Sequence, residues 1–180
     1  MNRLEYLSII VIVIVITLSL VLPLTSEEHT HPHVYMTGYY GDGDGGTGDL
    51  SIYDKDGNVV QTLTDTDTNT GDASSFLIKY DKDGHVAWAA KQEGPEYNSG
   101  VGVSSDTKGN VYMTGYYGSG DTRGDLSIYD KDGNVVQTLT DTNTGDASSF
   151  LIKYDKDGHV AWAAKQEGPE SNQGLGVSAK

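Results

Sequence analysis

The sequence predicts an all-β chain, built as an array of antiparallel hairpins in two near-identical repeats of about 75 residues, behind an N-terminal hydrophobic helix. Three observations carry that expectation. Gly71–Glu96 (GDASSFLIKYDKDGHVAWAAKQEGPE) returns unchanged as Gly145–Glu170. Inside it, Phe76, Ile78 and Tyr80 alternate with Leu77 and Lys79. After Asp81-Lys82-Asp83-Gly84 the same period holds for Val86, Trp88 and Ala90, and this pattern marks a β-hairpin. Composition agrees: 23 Gly with abundant Asp, Asn and Thr supply turns, and 12 Tyr with frequent Val and Ile supply strands. No sustained helical period occurs beyond residue 26.

Residues 1–26 read as an address. Leu7–Leu22 (LSIIVIVIVITLSLVL) is uncharged and follows Arg3. It suits a secretory signal or a short N-terminal anchor, being slightly shorter than the about 20 residues that span a bilayer. Either way the body is expected outside the cytoplasm, touching membrane only through residues 7–22. Residues 27–33 form a His-rich spacer. His29, His31 and His33 stand at alternate positions that could grip Zn²⁺ or Cu²⁺, but a polar spacer stiffened by Pro32 explains them more simply.

Residues 34–110 form the first unit and 111–180 the second, residues 33–180 together making one β domain. Val34–Gly41 equals Val111–Gly118, and Asp49–Thr66 equals Asp125–Thr142. The differences cluster in Gly- and Asp-rich loops, where packed repeats tolerate change. Six strands are expected per full unit: Gly100–Ser104, Asn110–Tyr117, Leu126–Tyr129, Asn134–Leu139, Ser149–Tyr154 and His159–Lys165. The turn DKDG appears at Asp54–Gly57, Asp81–Gly84, Asp130–Gly133 and Asp155–Gly158, with a looser version at Asp106–Gly109. A type I turn with Gly in the left-handed position of a G1 bulge fits it. Trp88 and Trp162 are each expected to plug the core of a sheet. The tail Gly174–Ser178 matches Gly100–Ser104 and could pair beside Val34–Tyr40, removing free edges.

These residues resemble the bacterial and archaeal β-propeller repeat known as the SBBP repeat. Lys79-Tyr80-Asp81, Trp88, Asp106, Gly109-Asn110-Val111-Tyr112 and Thr114-Gly115 carry the likeness, and Lys153-Tyr154-Asp155 with Trp162 carry it again. Agreement is best over residues 72–118. The resemblance implies a β-propeller-like array acting as a surface or secreted scaffold, and it brings no catalytic residues. Leu50–Leu63 and Leu126–Leu139 add a hairpin to the usual shorter repeat. Twelve strands would make only three four-stranded blades, where propellers typically have four to eight. Two chains combining through open sheet edges is therefore the favoured expectation.

The net charge of −14 lies entirely beyond the N-terminal segment, which disfavours nucleic acid and favours cations. With no Cys, thiol chemistry is excluded. Calcium is the best metal candidate: Asp42, Asp44 and Asp49 lie in one loop, and Asp65, Asp67, Asn69 and Asp72 in another. Their counterparts Asp121 and Asp125, and Asp141, Asn143 and Asp146, are sparser. Tyr39, Tyr40, Tyr116 and Tyr117 place one ring on each sheet face, one for the core and one free to stack on a sugar or partner protein. Glu93 with Glu96, and Glu167 with Glu170, could be a glycosidase pair. His85 and His159 follow turns, where solvated histidines are ordinary. Every such candidate occurs twice, which suits scaffolding or multivalent binding better than catalysis.

The reading favoured by the sequence is an exported cell-surface or secreted scaffold or adhesion module without catalysis, binding a surface glycan or a protein. A secreted carbohydrate-binding or carbohydrate-active protein is the first alternative, and a fragment of a longer repeat array the second.

Overall fold

The computed structural model describes residues 32–41, 48–66, 73–94, 97–118, 124–142 and 146–180. The expected N-terminal helix lies outside them. Eleven strands follow in order: β1 (Val34–Tyr40), β2 (Leu50–Tyr53), β3 (Val59–Leu63), β4 (Ser74–Tyr80), β5 (Val86–Glu93), β6 (Ser99–Ser105), β7 (Val111–Tyr117), β8 (Leu126–Tyr129), β9 (Val135–Leu139), β10 (Ser148–Tyr154) and β11 (Val160–Gln166). The described residues contain no helix, and every pairing is antiparallel.

Each hairpin turn is held by one aspartate. In the first, Asp54 Oδ1 accepts the backbone N–H groups of Asp56 and Asn58 at 2.9 Å each, while Gly57 turns at φ +81°. Asp81, Asp106, Asp130 and Asp155 repeat the arrangement before Gly84, Gly109, Gly133 and Gly158. The backbone donors favour the ionised carboxyl, so Asp54 and Asp81 are held below the usual carboxylate range. The G1-bulge turn expected from DKDG is the one found, with register shifts at Tyr53, Tyr80, Tyr129 and Tyr154.

The strands assemble into a five-stranded sheet, β1-β4-β5-β8-β9, a four-stranded sheet, β11-β10-β7-β6, and a separate two-stranded ribbon, β2-β3. Thus the order β1-β4-β5 recurs as β7-β10-β11. The third hairpin breaks the symmetry: β8-β9 crosses from its own unit to the outer edge of β5, pairing Gln92 with Ile128 and Glu93 with Ser127. Its twin β2-β3 has the same sequence but finds no such edge.

That crossing builds the main core. Leu77, Trp88 and Ala90 of the first unit share one cluster with Met113, Leu126, Ile128, Phe150 and Tyr154 of the second. A smaller cluster gathers Tyr40, Ile52, Leu63, Phe76 and Ile78 under the β2-β3 ribbon. Close approach of strands needs missing side chains. A Cβ on Gly115 would stand 1.9 Å from the Ser99 carbonyl oxygen, so β6 and β7 can pair only with Gly there.

Two expectations are corrected. Trp88 is a core plug at 6 % exposure, but Trp162 is 40 % exposed because no described turn lies over it as Asp155–Gly158 lies over Trp88. The C-terminal segment does not pair with β1. It runs along β7 and β6 instead, where the Gly174 N–H reaches the Gly115 carbonyl at 3.2 Å and the Ala179 N–H reaches Ser104 Oγ at 3.1 Å. The reason is local: Gly174 carries no side chain against Thr114, just as Gly100 carries none against Thr37. Consequently no described sheet closes on itself, and β1, β6, β9 and β11 are all edges.

Candidate functional site

Alternation along β1 and β7 separates the tyrosine pairs, as period two requires. Tyr40 and Tyr117 point into the core, and Tyr39 and Tyr116 to the other face. The hydroxyls of the inner pair face Ser74 and Ser148 without forming a well-aligned hydrogen bond. Burial, and then nearby carboxylates (Glu93 and Asp65 for Tyr40, Asp141 and Glu167 for Tyr117), push both phenols far above their ordinary range.

The outer pair meets a third ring that the sequence reading overlooked. Tyr97, between β5 and β6, stands 5.2 Å from Tyr39 and 6.0 Å from Tyr116, stacked on the latter at 24°. Its position is set by Asn98, whose N–H donates to the Ala73 carbonyl at 2.8 Å and whose side chain donates to the Gly94 carbonyl at 3.3 Å. Burial, reinforced by hydrogen bonding to Tyr39 and Tyr116, raises the Tyr97 pKa. Tyr39 remains 54 % exposed, so the row presents flat apolar ring surface beside phenolic hydroxyls to solvent. A signal was available. Position 97 is Tyr in one copy but the equivalent position 171 is Ser, one of five differences between residues 97–106 and 171–180.

The acidic candidates divide. Asp42, Asp44, Asp67, Asn69 and Asp72 lie outside the described residues, as do Asp121 and Asn143. Asp49 accepts the Asp65 N–H at 3.2 Å, and Asp125 accepts the Asp141 N–H at 3.0 Å, so both brace the loop bases. Among the described residues no three acidic or histidine side chains converge as metal ligands.

Glu93 is buried. It pairs with Lys91 and accepts both the N–H (3.1 Å) and the hydroxyl (2.6 Å) of Thr66. Tyr129 also bonds to it, and Lys91 lies 4.5 Å above the Tyr129 ring. Glu167 repeats the pattern with Lys165 at 2.5 Å and Thr142 at 3.0 and 2.5 Å. Burial alone would raise this carboxyl, but the donors from Lys165 and Thr142 outweigh it and bring Glu167 to about 2. Both glutamates therefore act as anchors, Glu93 tying the end of β5 to the segment after β3 and Glu167 tying the residue after β11 to the segment after β9. Glu96, the supposed second carboxylate, lies outside the described residues.

The histidines are accounted for locally. His85 lies 3.4 Å from Asp81 and His159 lies 3.2 Å from Asp155, each within its own turn, and His159 also stands 3.8 Å from Asp132 of the neighbouring turn. His33 Nδ1 is 3.3 Å from the Tyr80 carbonyl oxygen, while His29 and His31 are outside the described residues.

No protein-family model matches the chain. Among curated proteins it is similar to an uncharacterised WD repeat-containing protein of Acanthamoeba polyphaga mimivirus, at 29 % identity over 109 residues, which covers 61 % of this chain but only 7 % of that relative.

Proposed function

We propose that this chain is a non-catalytic β-propeller-type repeat scaffold that holds a partner protein on the Tyr39–Tyr97–Tyr116 face. One observation carries the reading: Gly71–Glu96 and Gly145–Glu170 are identical, yet the segments that follow them diverge and this aromatic row is built once among the described residues, because Tyr97 has Ser171 as its counterpart. A feature present once in a duplicated chain answers to something the repeat itself does not need. Rigid phenol rings bring large contact area at little entropic cost, and their hydroxyls orient a partner. Likeness to a WD repeat-containing protein supports the repeat-scaffold part of this reading.

Membership of the SBBP group, export or anchoring through Leu7–Leu22, and a cell-surface or secreted setting belong to the same proposal, supported by the sequence motifs. So does Ca²⁺ at the acidic loops, where Asp49 and Asp65 stand together.

The test is a titration followed by tyrosine ring resonances, using a proline-rich peptide and a cello-oligosaccharide as probes. Peptide-induced shifts at Tyr39, Tyr97 and Tyr116, abolished by Tyr97→Ser, are expected. Shifts with the oligosaccharide alone favour the carbohydrate alternative. Shifts with neither probe overturn the proposal.

A further inference from the structure

The two ends of the described body are complementary, because the junction between the units inside one chain has already used both surfaces. On the first unit, Val34 and Met36 of β1 are 61 % and 52 % exposed, whereas their counterparts Val111 and Met113 of β7 are fully buried. At the other end Trp162 is uncovered where Trp88 is covered. The residues that cover Trp88 are identifiable. Its indole N–H donates to the Lys156 carbonyl at 3.2 Å, its ring lies 5.7 Å from Tyr154, and Lys79 donates to the same carbonyl at 2.9 Å. Gln92 donates to the Tyr154 hydroxyl at 2.8 Å, which in turn donates to the Tyr129 carbonyl at 3.2 Å.

Each of these donors and acceptors has an identical twin at the free ends. Trp162, Lys153 and Gln166 stand where Trp88, Lys79 and Gln92 stand, and Tyr80, Lys82 and Tyr53 match Tyr154, Lys156 and Tyr129. The edges match as well. Gln137 occupies the outer edge of β11 only at Ala163, accepting its N–H and donating to its carbonyl at 3.0 Å each, and no described strand pairs beyond it. The C-terminal segment lies against β7 as the start of β6 lies against β1, with Gly174 beside Thr114 as Gly100 is beside Thr37. β6 goes on to pair with β7, and no described strand pairs with the tail.

We propose that a second copy of this chain docks head to tail, its first unit on the second unit of its neighbour, in the register of the internal junction. β2 of one copy then pairs along β11 of the other, with Ile52 opposite Gln166 and Ser51 opposite Glu167, as Ile128 and Ser127 stand to Gln92 and Glu93. β1 pairs with the tail, with Met36 opposite Val177 and Gly38 opposite Gly174, as Met113 stands to Val103 and Gly115 to Gly100. This contact joins unlike surfaces, so it propagates into a ring or a filament. Like charge on the two copies opposes it, so added salt strengthens it. The proposal does not depend on the tyrosine face.

The natural chain has no Cys, which makes register testable by single substitutions. Full-length Met36→Cys and Val177→Cys proteins would be mixed in neutral detergent under mild oxidation. A mixed disulfide forming in preference to either self-disulfide, by at least fivefold, is expected. Predominant Met36→Cys self-disulfide means a two-fold contact and overturns the proposal. So does an intrachain disulfide in the double variant, or no disulfide at millimolar chain. As a second reading, the wild-type tryptophan emission should move to the blue with concentration while Trp162→Phe shows no movement. An unchanged wild-type spectrum also sinks the idea.

Discussion

β5 and β11 share the sequence Val-Ala-Trp-Ala-Ala-Lys-Gln and the same hairpin partner register, yet one is buried from its tryptophan onward and the other is not. The difference lies outside both strands. β5 receives the β8-β9 hairpin on its edge and the Asp155–Gly158 turn on its face, while the β11 backbone edge is met by Gln137 of its own hairpin and by no described strand. Local sequence therefore decides that a strand forms, and its neighbour decides what the strand is worth. In repeat arrays stability resides largely in the interface between units, and this chain shows one such interface occupied and one open.

The comparison breaks most visibly at the tryptophans. Trp88→Ala should cost about 3–5 kcal/mol, in the range of large core truncations, and Trp162→Ala in dilute chain less than about 1.5. Urea denaturation followed by circular dichroism measures both, and equal losses would show that the units do not cover one another. Next comes Gly158→Ala. Its Cβ would meet the Trp88 ring at 2.9 Å in a backbone already at φ +90°, whereas a Cβ on Gly133 meets nothing. We expect about 2–3 kcal/mol for the first and about 1 for the second, the latter being left-handed strain alone. Smaller again is Tyr154→Phe, which removes the hydroxyl bridging Gln92 and Tyr129, at about 1–2 kcal/mol. Tyr80→Phe should change stability by less than about 0.5.

The glutamate anchors sharpen the comparison through pH. Glu167 falls from an ordinary 4.5 to about 2, and Glu93 is also lowered. A depressed carboxyl stabilises the fold above its unfolded pKa and loses that contribution as pH falls through the folded one. Stability should be flat above about pH 5 and decline between about 4.5 and 2. Denaturation midpoints across that window test this, and Glu167→Gln should flatten the decline.

Strand positions were legible to within a residue or two because period two and the Asp-Lys-Asp-Gly turn are local signals. The sheet that each third hairpin joins was not legible. β2-β3 and β8-β9 are identical in sequence but end in different sheets, so no reading of their residues could tell them apart. Trp162 was misread for the same reason. The tyrosine site was half legible: the pairs Tyr39-Tyr40 and Tyr116-Tyr117 announced one core ring and one free ring each, without telling which, whereas Tyr97 sat in a loop without a pattern. Its mismatch with Ser171 is one of five between residues 97–106 and 171–180, so it did not stand out.

Identity between β1 and β7, and between β4 and β10, has a consequence for how the chain finds its fold. β1 can zip with β4 or with β10 through the same side chains, and only the length of the intervening loop distinguishes the two choices. The wrong loop is roughly threefold longer, a handicap of only about 1 kcal/mol. Refolding from denaturant should therefore divide between correct pairing and a swapped, kinetically trapped species. A chain whose halves are interchangeable carries its own decoy, and separation along the chain is what steers it home.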